Sequence, residues 1–437
     1  MSLKYHLAPG GALRGDLRVP GDKSISHRAI MLGSIAKGIT EVEGFLEGED
    51  ALATMNAFRA MGVKIEGPEG GRVRVHGVGK HGLRAPQVAL YCGNSGTSMR
   101  LLSGLLAGQG FAVRLTGDAS LSQRPMNRVA LPLREMGARI DTNEGGRPPL
   151  DIHPVKGLRG IRYAMPVASA QVKSALLLAG LYAEGRTEVI EPAPTRDHSE
   201  RMLSAFGYLV AREGGAIAVT GGGDLRGTHI DVPADISSAA FFVVGAAIAP
   251  GSDLMLRHVG INPTRTGIID ILRLMGADIA LLNERIVGGE PVADLRIRHA
   301  PLHGIDIPEA LVPLAIDEFP AIFIAAACAQ GLTRLTGAEE LRVKESDRIQ
   351  VMAEGLVALG IDAQPQPDGM IITGGRLRGG RVHSHGDHRP AMSFAMAALR
   401  SDGPIEIEDC ANVATSFPGF ADLAARAGLK LDTRESV

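Results

Sequence analysis

A chain of 437 residues with 45% apolar content can bury more than one core, so two domains are expected. A net charge of −2, 4% aromatic residues and no tryptophan argue against a nucleic-acid binder, which needs a basic surface or stacking platforms. Cys92, Cys328 and Cys410 are too scattered for a disulfide framework or a zinc site, the start MSLKYHLAPGG lacks a signal pattern, and apolar runs such as AAFFVVGAAIAP are too short for a membrane span, so a soluble cytoplasmic protein is expected.

In chain order, Leu17–Pro20 reads as a short strand stopped by proline, and Lys23-Ser24 opens a helix with apolar residues at Ile25, Ala29, Leu32 and Ala36. Lys37-Gly38 is expected to end that helix, and Thr40–Glu43 alternates like a strand. A second helix is expected from about Asp50, as its cap, to Met61. The unit then closes on an apolar residue, a glycine and a strand-like tail, MGVKI. The same ending returns as MGARI, FGYLV, MGADI, LGIDA and AGLKL, with Gly62, Gly137, Gly207, Gly276, Gly360 and Gly428 roughly 70 to 85 residues apart. A second glycine series, Gly38, Gly110, Gly185, Gly251, Gly331 and Gly403, opens the mid-repeat strand, and prolines close the first strand at Pro20, Pro166, Pro233 and Pro308. Six such units of interleaved strands and helices give an α/β or α+β protein of two domains, three repeats each, dividing near Gly221-Gly222-Gly223.

The first helix of each repeat begins at equivalent places, and a helix N-terminus attracts anions through its unpaired N–H groups and dipole. Copies one to three open with Lys23-Ser24 and Arg28, with Gly93-Asn94-Ser95-Gly96-Thr97, and with Ser169-Ala170-Gln171. Together they form a candidate cradle for phosphate or carboxylate. Copies four to six open with Asp235-Ile236-Ser237, Asp317-Glu318 and Asp387-His388-Arg389. Asp235 reads as an ordinary cap, whereas two adjacent acids and a His-Arg pair exceed what capping needs and point to proton transfer beside an anion. Second helices are expected to begin at Gln123-Arg124-Pro125-Met126 and at Arg342–Arg348, where Lys344 and Arg348 would share one face beside Glu345. A P-loop is excluded because no glycine directly precedes Lys23. The His383–His388 run has loop-like alternation unsuited to a helix-borne metal site, and Cys92 lacks an activating base, so no metal site and no cofactor are expected.

PGDKSISHR, GNSGTSMRL, SLSQRPM, RVKESDR and DHRPAMSFAMAAL, in this order over essentially the whole chain, resemble the 5-enolpyruvylshikimate-3-phosphate synthase family. The resemblance implies two similar domains of three βαβαββ units each, an inside-out α/β barrel with a cleft between the domains. Residues 21–233 would form the shikimate-phosphate side, and 1–20 plus 234–437 the side with the catalytic acids and arginines. It implies transfer of the enolpyruvyl group of phosphoenolpyruvate to the 5-hydroxyl of shikimate 3-phosphate, by addition and elimination. Lys23, Ser24, Arg28, Ser169, Gln171, Asp317 and Lys344 would hold shikimate 3-phosphate. Lys23, Asn94, Gly96, Arg124, Gln171, Arg348, His388 and Arg389 would hold phosphoenolpyruvate. Asp317 would be the general base, Glu345 the proton donor to the methylene, and Lys23 and Lys344 would act beside them. The implied partners are these two small molecules, with no nucleic acid, no membrane and a monomeric chain.

Ala170 stands where many members have a second serine, and Thr415 where some carry a lysine. Gly96 leaves room in the phosphoenolpyruvate pocket for glyphosate, so sensitivity is expected. The sister transferase acting on UDP-N-acetylglucosamine would need Lys-Asn at positions 23–24 and a cysteine within Asp118–Gln123, and neither is present.

Overall fold

The computed structural model describes Ser2–Ser436, a mixed α/β chain that divides into two compact units. One, here the Gly21 unit, holds Gly21–Val232 with Val287–Gly289; the other, the Pro233 unit, holds the chain up to Pro20, Pro233–Ile286 and Glu290 onward. The chain start belongs with the second half because strand Ser2–Leu7 lies antiparallel between Ile405–Glu408 and Leu431–Ser436, pairing Tyr5 with Ile407 and Thr433.

The second repeat shows the unit plainly. Leu90–Tyr91, helix Gly96–Ala107, Val113–Thr116, helix Asn127–Glu135, Arg139–Asn143 and Arg147–His153 make a βαβαββ string. Its four strands form one sheet with a single parallel pair and two antiparallel ones. Two further four-stranded sheets of the Gly21 unit repeat this order. In the Pro233 unit the strand expected before Pro308 is reduced to single bridges, His303 to Gln330 and Asp306 to Arg334, so the sheet containing Leu332–Leu335 has three strands.

The recurring apolar-Gly-apolar ending has one physical cause. Gly62, Gly137, Gly207, Gly276, Gly360 and Gly428 all have φ between 80° and 117°. In each case the next residue's N–H reaches back five residues: Val63 to Phe58, Ala138 to Leu133, Tyr208 to Leu203, Ala277 to Leu272, Ile361 to Leu356 and Leu429 to Ala424. That is the Schellman end of a helix, and only glycine takes the left-handed position without strain.

Three local expectations need correcting. The strand expected at Leu17–Pro20 is Arg14–Leu17, and it pairs with Asp253–Gly260 in the Pro233 unit. The first helix runs Lys23–Ile35, and Lys37-Gly38 open the following strand Lys37–Glu43 rather than ending the helix. The next helix is Glu49–Ala60 with Gly48 at its cap, so Asp50 is inside the first turn with its side chain free for another task.

Each unit has its own core. In the Pro233 unit, helix Ile236–Ile248 is buried along its whole length, and Phe417 and Phe420 meet edge to face at 5.3 Å between ring centroids. In the Gly21 unit, helices Gly96–Ala107 and Ala170–Gly180 touch backbone to backbone: a Cβ on Gly104 would fall 2.0 Å from the Ala175 carbonyl oxygen. That contact fixes the starts of these two helices relative to each other. Among the described residues no helix is long and apolar enough to cross a membrane.

Candidate active site

In the Gly21 unit the helix starts bring cations together with hydroxyl, amide and carboxylate partners. Asp22 caps Lys23–Ile35 through Ile25 N–H at 2.9 Å, and Lys23 Nζ pairs with Asp50, whose side chain is 3% exposed. Arg28, 4% exposed, sits in a hydroxyl cage. Its Nε donates to Ser199 Oγ at 2.7 Å, Nη2 to Ser174 Oγ at 2.8 Å and Nη1 to the Ser24 carbonyl at 2.9 Å. These three bonds fix the plane and direction of the guanidinium.

Ser95 caps the second of these helices, and Gly96 is its first residue. A Cβ on Gly96 would meet Arg100 Nη1 at 2.9 Å and Arg124 Nη1 at 3.3 Å, so the glycine is what lets two guanidinium groups close over the helix start. Asn94 joins this group from the preceding loop, accepting from Arg124 Nη2 and donating to Asp118 Oδ2, each at 2.6 Å. Arg124 lies in the segment between a short 3-10 turn, Leu121–Gln123, and helix Asn127–Glu135, not on the helix expected to start there. Gln171, in the first turn of Ala170–Gly180, accepts from Arg100 Nη1 and donates to Thr97 Oγ1 at 2.9 Å. Ser169 is the cap of that helix, accepting from Val172 N–H at 3.3 Å.

In the Pro233 unit the polar groups are ionic. Arg348 is 1% exposed and is the hub. Nε donates to Asp387 Oδ2 at 2.8 Å, Nη2 to Asp387 Oδ1 at 3.2 Å and to Glu345 Oε2 at 2.6 Å, and Nη1 reaches Asp317 Oδ1 at 3.4 Å. Lys344 Nζ stands 3.5 Å from the same Asp317 oxygen. Burial works against the charges on Arg348 and Asp387, and mutual attraction wins. The Arg348 guanidinium is held above its usual range by Asp387 and Glu345, and the Asp387 carboxyl below its own by Arg348. Asp387 also caps helix His388–Ala397 through Arg389 N–H at 3.0 Å, with His388 Nδ1 3.8 Å from its Oδ1. Arg389 Nη1 donates to the Asp317 carbonyl at 2.8 Å.

Lys344 and Arg348 do not share a helix face. Helix Arg348–Ala358 starts only at Arg348, capped by Asp347, and Lys344 lies on the non-helical stretch before it. They meet because both reach Asp317. Asp235 is a cap, as expected, through Ser237 N–H at 2.8 Å.

Asp50, Arg100, Asp118, Ser174 and Ser199 are neighbours of these groups to which sequence reasoning gave no site role, whereas Thr97 and Asp387 already stood in the helix starts it singled out. Arg100 alone carried a signal, one turn after Gly96 inside GNSGTSMRL. Thr415 lies on a 3-10 turn with its hydroxyl donating to the Asn412 carbonyl at 2.7 Å. Cys92 is buried with its thiol pushed up to about 12 by desolvation, so it is no nucleophile at neutral pH. His383 and His385 are ring neighbours at 4.5 Å between centroids.

Helix starts lined with lysine, arginine, amide and hydroxyl groups, and a carboxylate cluster gathered on a buried arginine, define an enzyme for anionic small molecules. The family model for EPSP synthase (3-phosphoshikimate 1-carboxyvinyltransferase) matches residues 7–423. The chain is 70% identical to the 3-phosphoshikimate 1-carboxyvinyltransferase of Nitrosococcus oceani over 98% of its own length and 97% of that protein. It is 71% identical to that of Methylococcus capsulatus over 98% of both. A solved structure of EPSP synthase from Acinetobacter baumannii superposes with a TM-score of 0.90 at 62% identity, covering 99% of this chain and all of that one. The chain belongs to the EPSP synthase family and is a transferase.

Proposed function

We propose that this chain moves the enolpyruvyl group of phosphoenolpyruvate onto the 5-hydroxyl of shikimate 3-phosphate. In the addition, the hydroxyl loses its proton and attacks C2 while the C3 methylene gains one. In the elimination, C3 loses a proton and the C2–O bond to phosphate breaks, releasing inorganic phosphate.

The observation that carries this reading is the cluster at Asp317. One carboxylate is flanked by Lys344 and Arg348, and a second, Glu345, is held on the same arginine at 2.6 Å. Two carboxylates converging on one cation lie close enough to serve neighbouring atoms of one substrate pair. Asp317 takes the hydroxyl proton, Lys344 steadies the resulting charge, and Glu345 delivers the proton to the methylene. Shikimate 3-phosphate is held by Lys23, Ser24, Arg28, Ser169 and Gln171, with Asp317 and Lys344 at its hydroxyls. Phosphoenolpyruvate is held by Lys23, Asn94, Gly96, Arg124, Gln171, Arg348, His388 and Arg389. Residues 21–233 thus supply binding cations, and 1–20 with 234–437 supply the acids and arginines. The enzyme acts as a cytoplasmic monomer, and Gly96 makes it sensitive to glyphosate.

The test is phosphate release from phosphoenolpyruvate with shikimate 3-phosphate as acceptor, in parallel with UDP-N-acetylglucosamine and in the presence of a chelator. Release with the shikimate ester alone, unchanged by chelator, is expected. Release with the sugar nucleotide alone, or with neither acceptor from folded protein, overturns the reading.

A further inference from the structure

Five of the six repeats spend the residue before their first helix on a side-chain cap: Asp22, Ser95, Ser169, Asp235 and Asp387. The fifth repeat does not. Glu318 precedes helix Phe319–Cys328, yet its side chain makes no capping bond, and it is only 2% exposed. A buried carboxylate without a cap to make must be compensated by something else.

Two cations stand near it, and both lie in the Pro233 unit. Ser237 Oγ donates to Glu318 Oε1, and the same oxygen is 3.7 Å from Arg389 Nη1. Behind Ser237, Arg265 Nη2 donates to Ser237 Oγ at 2.6 Å and to Asp235 Oδ1 at 3.0 Å. Arg265 therefore has its own carboxylate in Asp235 and reaches Glu318 only through a hydroxyl. The direct cation for Glu318 is Arg389. On Arg389, the Asp317 carbonyl and the Glu318 carboxylate both engage Nη1. Nε and Nη2 make no hydrogen bond among the described residues, so one corner of a planar donor group is tied down and two donors are left for a ligand.

We infer that Glu318 is a positioning residue for Arg389, anchoring the Nη1 corner so that the remaining donors of the guanidinium are presented to the anionic substrate. The inference rests on the reading of Arg389 as a ligand to phosphoenolpyruvate. Arg265, Asp235 and Ser237 serve as the backstop that holds Glu318 in place. A carboxylate that acts through Arg389 affects the substrate Arg389 holds and spares the other one. A carboxylate that only neutralises the interior affects both equally, through stability.

The experiment is a double-mutant cycle of Glu318→Gln with Arg389→Lys, reading KM for phosphoenolpyruvate, KM for shikimate 3-phosphate and the binary affinity for shikimate 3-phosphate by calorimetry. In the wild-type background, Glu318→Gln raises KM for phosphoenolpyruvate on the order of tenfold and leaves both shikimate 3-phosphate values within about twofold. In the Arg389→Lys background the same substitution changes KM for phosphoenolpyruvate less than about twofold, because the group it positions is gone. A full tenfold effect in both backgrounds, or equal loss for both substrates, overturns the inference. Should the Gln variant not fold, Glu318→Asp decides: it keeps the charge one methylene further back, and a rise confined to phosphoenolpyruvate supports the inference while unchanged constants overturn it. A wild-type enzyme silent toward both substrates overturns the functional reading itself and this inference with it.

Discussion

The two units carry the same repeat and differ in how far the arginines at their helix starts are partnered by carboxylates. In the Gly21 unit Arg28 bonds two serine hydroxyls and a carbonyl, Arg124 bonds Asn94 and Arg100 bonds Gln171, while Lys23 and the buried Lys173 pair with Asp50 and Glu200. In the Pro233 unit Arg348 is surrounded by Asp387, Glu345 and Asp317. Neutral partners orient a cation without cancelling it, which suits a surface that must attract polyanions. Carboxylate partners gather acids around one cation, where the proposed proton transfers need them. Under the proposed function, the same fold would support binding in one unit and chemistry in the other.

The sharpest way to break this contrast is at Asp317. Asp317→Ala is expected to lower kcat for phosphate release about 10³-fold, the size of a lost general base, with substrate affinities far less affected. A loss confined to KM would return Asp317 to a binding role. Next in size is Asp387→Asn. It leaves Arg348, 1% exposed, without its main countercharge, and a loss of roughly 3 kcal/mol in denaturant unfolding is expected. A change under about 0.5 kcal/mol would mean that Glu345 and Asp317 suffice to hold the hub.

Smaller effects sharpen the other side. Gly96→Ala puts a methyl group 2.9 Å from Arg100 Nη1, so the guanidinium tips must retreat. Inhibition by glyphosate is expected to weaken by about tenfold or more, and KM for phosphoenolpyruvate to rise by less, the cost of modest overpacking. Unchanged inhibition would show that the cradle has slack. The smallest effect is from His27. It is wholly buried, and desolvation together with Lys23 and Arg28 holds its pKa well below 6.5. The unfolded chain therefore binds a proton that the folded one refuses. Its contribution is constant above the unfolded pKa and turns against folding as pH falls below about 6.5, by at most about 1.4 kcal/mol per pH unit. Urea unfolding at pH 7.5 and pH 5.5 should show a smaller acid loss in His27→Gln than in wild type. An equal loss in both assigns the acid sensitivity to other groups.

Much of the scaffold was readable because local rules enforce it. A Schellman ending demands glycine at one position and an apolar residue after it, so Gly62 and its five counterparts mark every repeat. Caps are also local, which is why Ser95, Ser169 and Asp235 stood at real helix starts. What escaped was non-local. Asp50 looks like a cap and is instead the partner of Lys23, 27 residues away. Asp387 reads as a helix start, and its grip on Arg348 across 39 residues has no trace in either segment alone. Lys344 and Arg348 had helical spacing, yet Asp347 starts the helix after Lys344, so their meeting at Asp317 depends on the fold. Glu318 is the same case: its partners Ser237 and Arg389 come from two other repeats.

The division of labour between the units is tested most directly by pairing Arg28→Ala with Asp317→Ala and measuring kcat and shikimate 3-phosphate affinity for each. Arg28→Ala is expected to weaken binding on the order of 100-fold, the value of a desolvated charged hydrogen-bond donor, with kcat at saturation reduced far less. Asp317→Ala is expected to do the reverse, losing kcat about 10³-fold with affinity within about tenfold. Both variants losing the same parameter to the same degree would contradict the division.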